Sequence, residues 1–227
     1  MSRDDVFRVR HNSIPAISDA NAEQGILNRM GMQIVVDFFT QLCLSGFCYH
    51  MQIGTEDAPV ASTTSIDDTL AWMVADNPAG SAMMPLLYEV NIGAFTTGTI
   101  AMSMLEADKD KVRYSSGGTA YAPANMRGDD LNAVAASSYY VGTDVTLAAK
   151  SAVPNTVELA RRFHYEDVVT TTTGVENLTP TVYSVKTRPA LVLVDAASLV
   201  CHHGCATADV TSYGVLQFAQ FSKTLVV

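Results

Sequence analysis

The chain has 227 residues, 48% of them hydrophobic and only 16% charged, with a formal net charge of −9 at pH 7. This length suits one large domain, and a charge share below the usual quarter or so leaves little ionic material to cover a free monomer, so part of the surface is expected to be buried against other copies. The acidic balance argues against strong direct nucleic-acid binding, which needs clustered Lys and Arg; the polar first residues do not form a signal peptide, and no run of about 20 apolar residues is long enough to span a bilayer.

Residues 1–31 read as an N-terminal arm. Arg3, Arg8, Arg10 and Arg29 are offset by Asp4, Asp5, Asp19 and Glu23, so the arm is not basic. Pro15 interrupts any regular element there. The apolar side chains Val6, Phe7, Val9, Ile14 and Ile17, with Leu225, Val226 and Val227 at the other end, are the expected inter-subunit contacts.

Residues 32–227 read as one β-sandwich domain. Residues 32–44 (MQIVVDFFTQLCL) are rich in β-branched and aromatic side chains, and 47–53 (FCYHMQI) continue in that style. Ser45-Gly46 between them allows a two-residue hairpin, which would set Cys43 opposite Cys48, or one long strand bulged at Gly46. The hairpin is preferred because strands are usually about 5–6 residues long. A disulfide across it would be strained, and free thiols are expected in a chain made in the cytoplasm.

Residues 66–74, with the only tryptophan Trp72, read as a strand or short helix. A strong turn follows at 76–80 (DNPAG). Residues 86–95 and 99–105 read as partner strands of a hairpin through 96–98, 109–130 as loop, and 131–141 as strand or helix. Residues 156–169, 182–186, 190–199 and 213–222 complete about eight strands separated by turn signals and long loops, the sequence form of an all-β sandwich, barrel or jelly roll.

Few residues suggest chemistry. Cys201-His202-His203-Gly204-Cys205 places four possible zinc ligands within one short segment. Structural zinc takes separated ligand pairs, however, and adjacent histidines rarely meet one ion. The preferred reading is a turn between strands, with Gly204 supplying its geometry and no metal or cofactor bound. The acidic pairs Glu56-Asp57, Asp67-Asp68, Asp129-Asp130 and Glu166-Asp167 lack the facing geometry of a glycosidase. Asp108-Lys109-Asp110 lacks the oxygens of a calcium loop. Nucleotide-loop, dinucleotide and hydrolase-elbow motifs are missing, so no enzyme is expected.

A polar arm, about eight strands with Ser/Thr/Ala/Gly-rich loops, a hydrophobic last strand at 213–222 and an acidic, lysine-poor composition together resemble the single jelly-roll coat proteins of icosahedral viruses. The resemblance is architectural and covers the chain from about residue 32 onward. It implies a structural virion protein that assembles with copies of itself, or with other coat proteins as well, through lateral sandwich contacts. The competing expectation is a carbohydrate- or receptor-binding sandwich, such as a capsid decoration protein, with Tyr114, Tyr121, Tyr139 and Tyr140 as its aromatic platform. A cupin-type enzyme would need a histidine motif whose spacing His202 and His203 do not have.

Overall fold

The computed structural model describes residues 38–94, 100–128, 138–165, 180–205 and 210–225. Within 32–44, the described part forms a helix rather than a strand: α1 spans Phe38–Leu44. Phe39, Leu42 and Cys43 follow helical spacing, and they pack with Cys48, Met84, Leu86 and Ala219. The Ser45-Gly46 pair ends this helix instead of turning a hairpin. Gly46 has φ of 75°; its N–H donates to the Cys43 carbonyl at 3.0 Å and the Phe47 N–H to the Leu42 carbonyl at 3.1 Å. These are the two bonds of a Schellman cap, which requires the left-handed residue that glycine supplies.

Fourteen strands follow among the described residues: β1 Cys48–Ile53, β2 Val60–Ala61, β3 Leu70–Asn77, β4 Ser81–Ala94, β5 Ile100–Asp108, β6 Tyr114–Ser116, β7 Thr119–Ala120, β8 Ala124–Asn125, β9 Tyr139–Leu147, β10 Thr156–Tyr165, β11 Thr181–Ser184, β12 Leu193–Val194, β13 Ala197–Cys205 and β14 Thr211–Ser222. They form two sheets. The first runs β11-β4-β14-β1-β8, with β12 on β4 and β2 on β14; the second runs β10-β5-β13-β3-β9-β6, with β7 on β9.

The pairing is nested. Setting aside the short strands and β9, the first strand pairs with the last (β1 with β14), β3 with β13, β4 with β11 and β5 with β10, all antiparallel. An antiparallel ribbon rolled up on itself gives this order, which is that of a jelly roll. The chain is therefore an all-β sandwich, as its turn spacing implies. β9 extends the second sheet beyond the eight jelly-roll strands.

Nesting also explains two departures from the sequence reading. The expected hairpin of 86–95 with 99–105 does not form, because β4 and β5 belong to different sheets. The expected strand 190–199 divides: β12 ends at Val194, Asp195 turns with φ of 61°, and β13 starts at Ala197 and continues through Cys205. The predicted turn at 76–80 becomes a corner between sheets. Its Asn77 side chain donates to the carbonyls of Ser81 (2.9 Å) and Asp195 (2.8 Å), and the Gly80 N–H donates to Asp195 Oδ1 (2.8 Å).

Three apolar clusters hold the layers. The main core lies between the sheets and includes Trp72, Met73, Met83, Tyr88, Leu105, Leu199, Leu216 and Phe218. A second lies under α1 on the outer face of the first sheet. A third, with Val74, Val145, Leu147 and Val200, lies on the outer face of the second sheet under Tyr114 and Tyr140. Both sheets are thus covered outside over part of their area as well as inside, which is why strict apolar–polar alternation is lost along β13, buried at every position.

Close sheet packing depends on Gly214. A methyl group there would collide with Cζ3 of the buried Trp72. Gly214→Ala is expected to cost about 2 kcal/mol through overpacking. Gly128→Ala, with nothing among the described residues within 4 Å of the added carbon, is expected to change stability by less than about 0.5 kcal/mol. Urea unfolding midpoints of the two variants check this contrast.

Candidate functional site

The Cys201–Cys205 segment is the middle and end of a central strand, not a turn. Strand alternation divides the four proposed ligands. Cys201 and Cys205 belong to the inter-sheet core, His203 points the same way toward Trp72, and His202 faces the other side of the sheet. Among the described residues no group of three or more His, Cys, Asp or Glu side chains is placed to hold a metal ion.

His203 instead joins a hydrogen-bonded chain. Its Nδ1 lies 2.9 Å from Ser103 Oγ on β5, and the same hydroxyl lies 2.9 Å from His164 Nε2 on β10. On its other side, His203 Nε2 lies 2.8 Å from Ser212 Oγ on β14. The chain His164–Ser103–His203–Ser212 therefore crosses the second sheet and ties it to the first. The Trp72 ring covers His203 with centroids 4.7 Å apart. His203, Ser103 and Ser212 are fully buried and His164 is 7% exposed, so no substrate can approach either serine in this conformation. Burial lowers the pKa of His203 to about 3, with His164 adding to the shift. Burial likewise lowers that of His164 to about 4, with the nearby Arg162 contributing.

Two further polar ties join the sheets. The Tyr88 hydroxyl donates to the His202 carbonyl at 3.0 Å. The Tyr139 hydroxyl donates to Gln220 Oε1 at 3.2 Å, and Gln220 Nε2 donates to Asn77 Oδ1 at 3.1 Å. His202 itself is an exception: it is buried, and neither ring nitrogen has a hydrogen-bond partner of ordinary geometry among the described residues. Its pKa falls to about 4, chiefly by burial.

The outer face of the second sheet carries a charged knot around Arg113, whose side chain is fully buried. Its guanidinium donates to Glu106 Oε1 (3.0 Å) and to the carbonyls of Ala148 (2.8 Å) and Asp68 (2.7 Å), and lies 3.8 Å from Asp108 Oδ2. The Arg113 backbone N–H meets Asp76 Oδ1 (3.1 Å) and Ser198 Oγ (2.7 Å), while Ser198 Oγ donates to Asp76 Oδ1. Asp76, Ser198 and Asp108 form one cross-strand row. The knot fastens the stretch before β6 onto the sheet. Burial pushes the carboxyls of Asp76 and Glu106 up, against the opposing pull of Arg113.

The remaining candidates are dispersed. Cys43 and Cys48 are free thiols at the end of α1 and the start of β1. Burial, reinforced by the Cys43 thiol, pushes the Cys48 pKa well up. Asp67 caps the Thr69 N–H at 2.7 Å, and Asp68 pairs with Lys150 at 2.7 Å. Asp108 accepts the Ser151 N–H at 2.8 Å and Asp110 the Asn155 side chain at 3.2 Å. Glu56 and Asp57 are exposed, and the pairs 129–130 and 166–167 lie outside the described residues. Tyr114 and Tyr140 stack on each other at 3.7 Å, Tyr139 is buried, and Tyr121 packs against the core, so the four tyrosines form no open platform. Of the expected contact residues, Val6, Phe7, Val9, Ile14, Ile17, Val226 and Val227 lie outside the described residues; Leu225 ends the 3-10 turn Lys223–Leu225.

Arg113→Met leaves Glu106 and Asp108 unpaired and is expected to cost about 3–5 kcal/mol at pH 7. The loss should shrink at pH 5, because a buried carboxyl with a raised pKa is held more easily once protonated; urea unfolding at both pH values reads it. For the histidines the sign is opposite. The unfolded chain binds their protons near 6.5 and the folded chain only near 3 to 4, so their linkage removes stability progressively as the pH drops from 6.5 toward 3. His202→Met removes a buried ring whose one polar contact, with the Leu70 backbone, falls short of a well-formed hydrogen bond, and is expected to gain about 1 kcal/mol at pH 7 and about 2 kcal/mol more at pH 5.

Comparison with known proteins finds no family model, no curated protein and no solved structure that matches this chain.

Proposed function

We propose that the chain is a structural virion protein, a capsid subunit that forms a shell with copies of itself through lateral contacts of its sandwich. The observation that carries this reading is the nested jelly-roll order, β1–β14, β3–β13, β4–β11 and β5–β10, in a chain with only 16% charged residues. Jelly rolls recur in viral capsid domains, where two stiff sheets and variable end loops give one subunit several lateral contacts.

The surface supports it. Phe163 and Ile100 are 57% and 60% exposed, and Phe163 is the register partner of Met102, two residues from Ile100 on the same strand. This apolar area on β5 and β10 suits burial against a neighbour. With a net charge of −9, such a shell would hold nucleic acid weakly or indirectly. Residues 1–31 are the proposed arm that reaches adjacent subunits. The tyrosine arrangement offers no comparable support for a glycan-binding module.

Light scattering and negative-stain microscopy of the purified full chain test this reading. Closed particles, or rings and trimers that close into them, are the expected result. Deletion of residues 1–20 should reduce assembly while leaving the sandwich folded by circular dichroism. A chain that stays monomeric at high concentration would overturn the reading.

A further inference from the structure

We propose that Cys43 and Cys48 form an oxidation site: the folded chain joins them in a disulfide when a small-molecule disulfide takes up their electrons, and the new bond fastens α1 to β1. This does not depend on the assembly reading, because it concerns neighbouring residues of a single subunit.

Two periodicities aim both thiols into one layer. On α1, Cys43 shares its face with Phe39 and Leu42, at helical spacing. On β1, Tyr49, Met51 and Ile53 point into the main core, so strand alternation turns Cys48 to the outer side of the first sheet. Both cysteines therefore enter the cluster beneath α1, where the Cys43 thiol reaches that of Cys48. The helix cap makes this meeting possible. A hairpin would have set the pair on facing strands, where a bridge is strained; the turn at Gly46 instead reverses the chain beneath the helix end. The stretch between the cysteines is pinned in place. Asn125 Nδ2 donates to the Gly46 carbonyl at 2.8 Å, the Met126 N–H to the Cys48 carbonyl at 2.9 Å and the Gln220 N–H to the Phe47 carbonyl at 2.9 Å. The fold has thus already met the ordering cost of bringing the two sulfurs together.

Exposure sets the order of the exchange. Cys43 is partly exposed and Cys48 is buried. Cys43 loses its proton to solvent and its sulfur attacks oxidised glutathione; a mixed disulfide forms and one glutathione thiolate leaves. Cys48 then loses its proton and attacks the Cys43 sulfur; the protein disulfide forms and the second glutathione thiolate leaves. The two released protons are taken up by the two glutathione thiolates, so two protein thiols are oxidised and one glutathione disulfide is reduced. Burial disfavours the Cys48 thiolate, which makes the second step the slower one. Cys201 and Cys205 supply the contrast. They stand four residues apart on β13, a span of about 13 Å along a strand, and both are buried. In the folded chain they neither reach each other nor meet glutathione.

The test incubates the folded full chain with oxidised glutathione at about pH 8, where thiolates form, alkylates the remaining thiols in denaturant and maps the unreduced peptides by mass spectrometry. The expected result is a Cys43–Cys48 link with Cys201 and Cys205 alkylated. Cys48→Ala should stop at a lasting glutathione adduct on Cys43. Amide hydrogen exchange across α1 should slow by about tenfold in the oxidised chain, because the bridge opposes local opening of the helix. Full alkylation of Cys43 and Cys48, a glutathione adduct that persists on Cys43 of the unmodified chain, or oxidation of Cys201 and Cys205 at the same rate would overturn the proposal. Unchanged exchange across the oxidised helix would overturn the fastening. The peptide map needs no substitution, so it decides even if Cys48→Ala does not fold.

Discussion

A strand buried on both faces must settle all of its polar side chains without water, and β13 imposes this constraint on the whole molecule. Every residue from Ala197 to Cys205 is buried. A polar group placed there without a partner from another element costs about 1–3 kcal/mol; His203 and Ser198 find such partners, and the His202 ring does not. Inside the sandwich that demand produces the His203 chain to β5, β10 and β14. Outside it, Ser198 joins Asp76 and the Arg113 backbone. The same strand thus locates the second sheet against the first and fastens the covering segment to its outer face. Apolar packing supplies most of the stabilisation, but it is non-directional. The polar ties distinguish one register of the two sheets from its neighbours.

How much of this was legible in the sequence depended on the range of the interaction concerned. The strands at 156–165 and 211–222 could be read from alternation and turn signals, which are local. The helix at 38–44 could not be separated from a strand by its β-branched and aromatic content, because Phe39, Leu42 and Cys43 satisfy a helical face only once the outer surface of the first sheet is there to receive them. The hairpin expected between 86–95 and 99–105 failed for a topological reason. In a rolled ribbon, consecutive strands cross between sheets, and short linkers serve crossings as well as hairpins.

The buried sites were harder still to read. Ser103 lies 61 residues from His164 and 100 from His203 along the chain. Nothing near either histidine in sequence announces the contact. Arg113 was hidden in a loop-like stretch, and no local signal shows that a lone arginine is fully buried. The Cys-His-His-Gly-Cys segment illustrates the opposite error: a dense set of ligand types drew notice as a metal motif or turn, while its actual role is set by strand alternation, which sends His202 and His203 to opposite faces.

Taken together, the rolled ribbon, its two covered sheets and its few internal polar ties describe a stiff block suited to repeated lateral contact, in keeping with the proposed shell. The claim at the centre of this account is that His203 and His164 are neutral, fixed and hydrogen-bonded within the sandwich. Imidazole 15N spectra of histidine-labelled protein test it most directly. The account predicts, at pH 6, two neutral histidines with hydrogen-bonded nitrogens and no titration near the ordinary value; rings that average between tautomers and protonate near pH 6.5 would contradict it.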